Sequence, residues 1–200
     1  MPLGLRYFVG IDPGKSGAVA VLCSTGDVAF HDMPIRVVKK PKKGGKVGHK
    51  RMYVVPSLVA LLRGLPRGLV VLEAQQAMPL SVQGRAQGTV SSFETGYGYG
   101  LLRGILSAVG RTPLLVRPVK WKRLMLKGHS TRNKDDAETV AVRLFPHVAP
   151  LLRTKRNRLI DGRAEALLLA YYGSRLSTME IEVEQRKMES EEQELNNGND

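Results

Sequence analysis

Residues 9–18, VGIDPGKSGA, contain the Gly-Lys-Ser triplet of nucleotide-binding loops at the end of an apolar run. A phosphate-binding loop needs its two glycines five positions apart, so that backbone N–H groups wrap the phosphates. Here Gly10 and Gly14 are only four positions apart. The β-branched and aromatic residues before Asp12, followed by Pro13-Gly14, instead predict a β-hairpin with an acid at the exit of its first strand. Asp is also common as the first residue of a turn. Taken alone, Asp12 could therefore either shape the turn or contribute a carboxylate to a functional site.

The charge of the chain is uneven. The 200 residues carry a net charge of +13, yet residues 180–200 hold eight acids against Arg186 and Lys187. The remainder has 29 Lys and Arg against ten Asp and Glu, a net charge of +19. A domain with this positive charge attracts polyanions. Each of its few acids is expected to form an ion pair, to cap a helix or turn, or to bind a cation.

The element order indicates one mixed α/β domain. Strands are predicted at 6–12, 17–23, 27–33, 68–73 and 114–116, and helices at 54–63, 94–109, 118–125, 130–145 and 160–172. We expect a five-stranded mixed sheet flanked by helices over residues 5–177, followed by an acidic tail at 178–200 that is helical or disordered. Cys23 is the single cysteine, which leaves no internal disulfide. No run has the length of a membrane span, and no export signal precedes the first strand.

Four carboxylates form a candidate site. Asp12 and Glu73 each close an apolar strand, and parallel neighbouring strands would bring both acids to one edge of the sheet. Asp161 and Glu165 are spaced i, i+4 on one helix face, where two like charges repel unless a cation lies between them. Oxygen ligands favour Mg²⁺ or Mn²⁺, and two such ions about 4 Å apart support phosphodiester hydrolysis. The alternatives are a helix cap at Asp161 and a surface acid at Glu165.

Basic segments indicate contacts with nucleic acid. Residues 36–51 hold eight Lys or Arg, so they form a basic loop or a two-stranded ribbon; a solvated linker is the alternative. Residues 153–158 are basic again, and 74–93 form a long polar loop. Glycines in 94–109 allow either a tight helix seam or close approach to DNA. The predicted DNA contacts are Lys39, Lys40, Lys42, Lys43, Lys46, Lys50, Arg51, Lys120, Lys122, Lys155 and Arg156.

Six motifs in order, spread over residues 6–175, resemble the RuvC group of Holliday junction resolvases. They are GIDPG, VVLEAQQAMP, GYGYGLL, VRPVKWK, NKDDAETVAVRLFP and DGRAEALLLAYYG. The similarity is greatest to the branch that includes phage and bacterial RuvC-like proteins and the chloroplast resolvase. The i, i+4 spacing of the last two acids matches that branch, whereas bacterial RuvC has i, i+3.

This resemblance implies an RNase H-like fold, a homodimer and Mg²⁺-dependent symmetric nicking of four-way DNA junctions. It places two Mg²⁺, for which Mn²⁺ would substitute, on the same four acids. It also assigns an assisting role to Lys134, which from its residue type alone is equally a surface lysine. The loop 74–93 resembles the family segment that reads bases at the junction centre, with Gln76, Met78 and Gln83 as candidate contacts.

Three other functions remain open from the sequence. Actin-like sugar kinases and ATPases also begin with a strand–Asp–Gly hairpin, but they use two such units in a longer chain. A non-catalytic junction-binding protein and another RNase H-like nuclease, acting on hybrid or branched DNA, are the others. No membrane partner is expected. The expected location is the nucleoid of a bacterium or a phage-infected cell, or a chloroplast nucleoid if a transit peptide was removed.

Overall fold

The computed structural model of the chain describes residues 6–41, 47–75, 88–127 and 134–176, together with Glu180, Val183, Arg186 and Ser190. The four tail residues are helical and exposed.

A five-stranded sheet forms the centre of the domain. Its strands are β1 (Tyr7–Ile11), β2 (Ala18–Cys23), β3 (Val28–Asp32), β6 (Leu69–Glu73) and β7 (Leu114–Val116), in the spatial order β3-β2-β1-β6-β7. The first three strands are antiparallel neighbours, while β6 pairs parallel with both β1 and β7. An antiparallel meander continued by two parallel strands is the sheet of the RNase H-like fold, as the sequence predicted.

Helices cover both faces of this sheet. On one face, α1 (Val55–Gly64) and α2 (Thr89–Ala108) pack Leu58 and Leu102 against alternate residues of the central strands. On the other face lie α3 (Pro118–Met125), α4 (Lys134–Leu144), a 3₁₀ helix (Pro146–Leu151) and α5 (Asp161–Arg175). The central strands are apolar on both sides because both faces are covered.

The basic segment 36–51 is a ribbon that lies apart from the main sheet. Strand β4 (Ile35–Pro41) pairs antiparallel with β5 (Val47–Tyr53) and forms its own two-stranded sheet. The ribbon form is therefore confirmed over the described strands, while the tip, 42–46, lies outside the described residues. Helix α2 begins five residues earlier than predicted, because no glycine or proline interrupts the chain between Gly88 and Glu94.

Gly10 brings α5 very close to β1. A Cβ added at Gly10 would lie 2.0 Å from the Ala166 carbonyl oxygen and 2.4 Å from the Ala170 nitrogen. Only glycine allows this backbone approach. The contact fixes α5 across the strand that ends at Asp12, and so positions Glu165 near the same strand end. Among the described residues, no helix is both long enough and apolar enough to span a bilayer.

Candidate metal centre

The site is built at the edge of the sheet where β1 and β6 end. Ile11 pairs with Leu72 in the parallel register, so Asp12 and Glu73, the next residue of each strand, leave the sheet at the same edge. Helix α5 supplies Glu165 from one face of the sheet. One carboxylate oxygen from each of Asp12, Glu73 and Glu165 lies within 4.8 Å of the other two. Three acids far apart in sequence therefore meet in one cluster.

Asp161 enters the same region through its backbone. It is the first residue of α5, and the following residue, Gly162, forms an isolated parallel bridge with Gly17 of the β1–β2 turn. A Cβ at Gly162 would lie 2.5 Å from the Gly17 Cα. The start of α5 thus lies against the turn that carries Asp12, although the Asp161 side chain is outside the described part of the chain.

Burial and mutual repulsion destabilise the ionised forms of the clustered carboxyl groups. Burial, and then the charges of Glu165 and Glu73, raise the pKa of Asp12 from 3.8 to about 7, although the Gly14 N–H donates to its Oδ1 over 3.2 Å. Burial likewise raises the pKa of Glu73, which is 6 % exposed. Both carboxylates would gain from a nearby cation.

Two side chains orient Glu73. The Trp121 indole Nε1–H donates to Glu73 Oε1 over 3.0 Å, and the Gln75 amide donates to Oε2 over 3.0 Å. Trp121 is fully buried. These donors favour the ionised carboxylate and hold it in one orientation. Sequence reasoning missed both residues, although the lone tryptophan of the chain, in the helix that follows strand β7, was an available signal.

Lys122 also belongs to this site. Its Nζ lies 2.8 Å from Glu165 Oε1, and its charge opposes the rise in the pKa of Asp12 and Glu73. The contact of Lys122 with DNA phosphate stays a prediction, and in the protein alone Lys122 lies among the acids.

The donor set fits a hard divalent cation. Every ligand candidate is a carboxylate oxygen, and no His or Cys joins the cluster among the described residues. Mg²⁺ and Mn²⁺ prefer such ligands, and burial, which raises the pKa of Asp12 and Glu73, disfavours their ionised forms unless a cation lies nearby. The three carboxylates could together hold a divalent cation.

Several predicted site residues cannot be placed. Gln76, Met78, Gln83, Lys42, Lys43 and Lys46 lie outside the described residues, and so does the Lys134 side chain, although the Lys134 backbone begins α4. The lysines that are described on β4, Lys39 and Lys40, are exposed, as are Lys120, Lys155 and Arg156. These exposed positions are compatible with phosphate contact.

The base of the ribbon is tied to the turn that carries Asp12. Arg51, which is exposed, donates to Ser16 Oγ over 2.7 Å and to the Lys15 carbonyl, and its contact with DNA stays a prediction. Lys50 and Lys15 both pair with Glu94 of α2, and these hydrogen bonds lower the pKa of Glu94.

Tyr53, at the end of β5, reinforces this connection. Its hydroxyl donates to the Pro13 carbonyl over 2.8 Å, and burial raises its pKa to about 12. The ribbon and the turn that follows Asp12 are therefore connected by hydrogen bonds.

Comparison with known proteins agrees with the resemblance seen in the sequence. No family model matches the chain. Over 156 residues, 72 % of the chain, it is 31 % identical to a protein of Chlamydomonas reinhardtii named Holliday junction resolvase MOC1, chloroplastic. The chain spans only 17 % of the length of that relative.

Solved structures of Thermus thermophilus RuvC are similar to the chain at low identity. One covers 85 % of the chain with 15 % identity and a TM-score of 0.45. Another, in complex with Holliday junction substrate, covers 84 % with 14 % identity and a TM-score of 0.48. In each comparison 93 % of the Thermus chain is covered.

Proposed function

We propose that the chain is a structure-selective endonuclease that resolves four-way (Holliday) DNA junctions by paired symmetric nicks, through two-metal-ion phosphodiester hydrolysis. The observation that carries the proposal is the cluster of Asp12, Glu73 and Glu165 within 4.8 Å in a chain of net charge +13. Three clustered acids that are buried or partly buried repel one another and lose hydration, and a bound cation would compensate both costs. The name of the Chlamydomonas relative supports the junction as substrate.

The three acids, with Asp161 as the fourth, would hold Mg²⁺, and Mn²⁺ would substitute. Bound metal would activate water and stabilise the leaving oxygen of the phosphodiester. Trp121 and Gln75 keep Glu73 in a fixed orientation, which reduces the reorganisation needed at the moment of reaction. Lys134 is proposed to assist by neutralising phosphate charge.

Exposed basic residues would bind the DNA backbone. Lys39 and Lys40 project from β4, and Lys155 and Arg156 lie in the loop before α5. Contacts to phosphate position a duplex without reading its sequence. Because Arg51, Lys15 and Tyr53 tie the ribbon to the Asp12 turn, DNA bound on the ribbon would be held in a defined position relative to the acids.

A homodimer would present two such sites to the two symmetric strands of a junction. Helix α2 is the proposed interface. Phe93 and Tyr97 on this helix are 72 % and 48 % exposed, and a Cβ added at Gly96, Gly100 or Gly104 meets no atom within 4 Å. A second copy would cover these apolar side chains and could approach closely along the glycines. We place the protein in the nucleoid of a bacterium or a phage-infected cell, or in that of a chloroplast.

The test compares substrates and variants in one assay. Wild-type chain and Asp12→Asn are incubated with a synthetic four-way junction, a linear duplex and an RNA–DNA hybrid, with Mg²⁺ or with EDTA. We expect paired nicks in the junction with wild type and Mg²⁺, and a loss of at least about a hundredfold in Asp12→Asn, because an electrostatic contact to the reacting groups is removed.

The matched control is Asp27→Asn, which makes the same chemical change in the exposed turn before β3. It should cleave at the wild-type rate. Cleavage by Asp12→Asn at that rate would refute the metal site. Preference for the hybrid would assign the chain to another RNase H-like activity, and junction binding with no cleavage by wild type would assign it a non-catalytic role.

A further inference from the structure

Lys122 places an ammonium group inside the acidic cluster. Its side chain is 20 % exposed, and its Nζ contacts Glu165 Oε1 at 2.8 Å. Glu165 is one of the three clustered acids, so this lysine faces a group of carboxylates and not a single surface partner. Surface ion pairs contribute little to stability, but a cation beside several half-buried acids relieves their mutual repulsion.

The position of Lys122 is fixed by its neighbour in α3. Trp121 is fully buried and donates to Glu73, so the start of this short helix is anchored directly on the cluster. The Lys122 Nζ lies 5.2 Å from the centroid of the Trp121 ring, at a distance where an aromatic ring attracts a cation. The ammonium is thus held near the acids by packing on one side and by Glu165 on the other.

We propose that Lys122 is a resident counter-cation of the site, which neutralises Glu165 while no metal is bound and must release it when a divalent cation binds. The inference rests on the proposed function, because it requires that the carboxylates bind metal. The exchange is non-covalent: the Lys122–Glu165 contact breaks, and the freed carboxylate becomes available to the ion. Once released, the ammonium is able to face DNA phosphate.

Two opposite effects follow. Without metal, Lys122 stabilises the fold by compensating the acids. Lys122 also weakens the binding of a divalent cation, because the ion must displace the ammonium group from Glu165 and is then repelled by it. A lysine with a purely structural role would have the first effect without the second.

The experiment measures Mn²⁺ binding to the full chain without DNA, by electron paramagnetic resonance of free Mn²⁺. We expect Lys122→Met to lower the Mn²⁺ dissociation constant by on the order of tenfold, because a neighbouring positive charge is removed. Lys122→Arg keeps the charge and should stay near wild type. The matched control is Lys127→Met, which removes an exposed charge just after α3 and should leave the constant unchanged.

Thermal unfolding supplies the second readout. Lys122→Met should unfold at a lower temperature than wild type in EDTA, and this deficit should shrink or reverse in saturating Mn²⁺. In a Glu165→Gln background, Lys122→Met should tighten Mn²⁺ binding clearly less than in the wild-type background, because the carboxylate that Lys122 contacts directly is gone.

Three results separate the hypotheses. The inference is supported if Lys122→Met binds Mn²⁺ more tightly than wild type and if its loss of unfolding temperature is smaller in Mn²⁺ than in EDTA. Unchanged or weaker binding by this variant, with normal binding by wild type, overturns the inference and leaves the proposed function intact. Failure of wild type itself to bind Mn²⁺ overturns both.

Discussion

Replacing Asp12 with Asn should stabilise the metal-free protein while abolishing its activity. The pKa of Asp12 is 3.8 in the unfolded chain and about 7 in the fold, mainly because of burial and the nearby charge of Glu165. A carboxyl group whose pKa is raised by folding does not lower the stability of the fold when the pH is below its pKa in the unfolded chain. Its penalty grows as the pH rises towards the folded pKa and is complete above it. Asn carries no charge and its Oδ1 still accepts from the Gly14 N–H, so the penalty disappears.

The size of the effect follows from the two pKa values of Asp12. One pKa unit corresponds to about 1.36 kcal/mol. The raised pKa of Asp12 therefore lowers the free energy of unfolding by up to roughly 4 kcal/mol above pH 7, but by only about 1.6 kcal/mol at pH 5. The gain in unfolding free energy for Asp12→Asn should therefore be larger at pH 8 than at pH 5, by up to roughly 3 kcal/mol. Bound metal would reduce this gain, since it compensates the charge, whereas the compensation by Lys122 is already contained in the pKa of about 7.

The assay is urea denaturation of wild type, Asp12→Asn and the control Asp27→Asn in EDTA at pH 5 and pH 8. The measurement at pH 8 is then repeated in Mg²⁺, which should stabilise wild type more than Asp12→Asn by mass action. Two findings would contradict the reasoning: no gain in unfolding free energy for Asp12→Asn at pH 8 in EDTA, or the same gain at both pH values.

Three further predictions concern the ribbon, the tryptophan and the sheet–helix contact. Joint replacement of Lys39 and Lys40 by Met should make the slope of log K against log[salt], where K is the association constant for DNA, shallower by about 2. The affinity for Mn²⁺ should stay unchanged. Trp121→Phe leaves a buried carboxylate oxygen without its donor and should cost about 1–3 kcal/mol in urea denaturation, more at pH 8 than at pH 5, because the lost hydrogen bond favoured the ionised form. Gly10→Ala pushes a methyl group into the backbone of α5 and should destabilise by about 3 kcal/mol or more, whereas Gly64→Ala, where the added Cβ meets no atom within 4 Å, serves as the tolerated control.

The element types were largely predictable from local pattern. The apolar strands before Asp12 and Glu73 and the basic ribbon all follow from composition and turn signals, because these features act over a few residues. The parallel pairing of the two acid-bearing strands was a hypothesis that the register of β1 with β6 confirms. The start of α2 was predicted too late, since the polar residues at 89–93 resemble a loop although no breaker interrupts them.

By itself, the sequence determined the types of chemistry available: oxygen ligands at strand ends and a chain with a strong excess of positive charge. Only the tertiary structure decided which side chains share the site. Trp121 and Lys122 join the acids because α3 places the indole N–H against Glu73 and the ammonium against Glu165, and Arg51 contacts Ser16 because β5 passes beside the turn that follows Asp12. Such contacts depend on distances across the fold, between residues 35 to 48 positions apart, and no local periodicity encodes them.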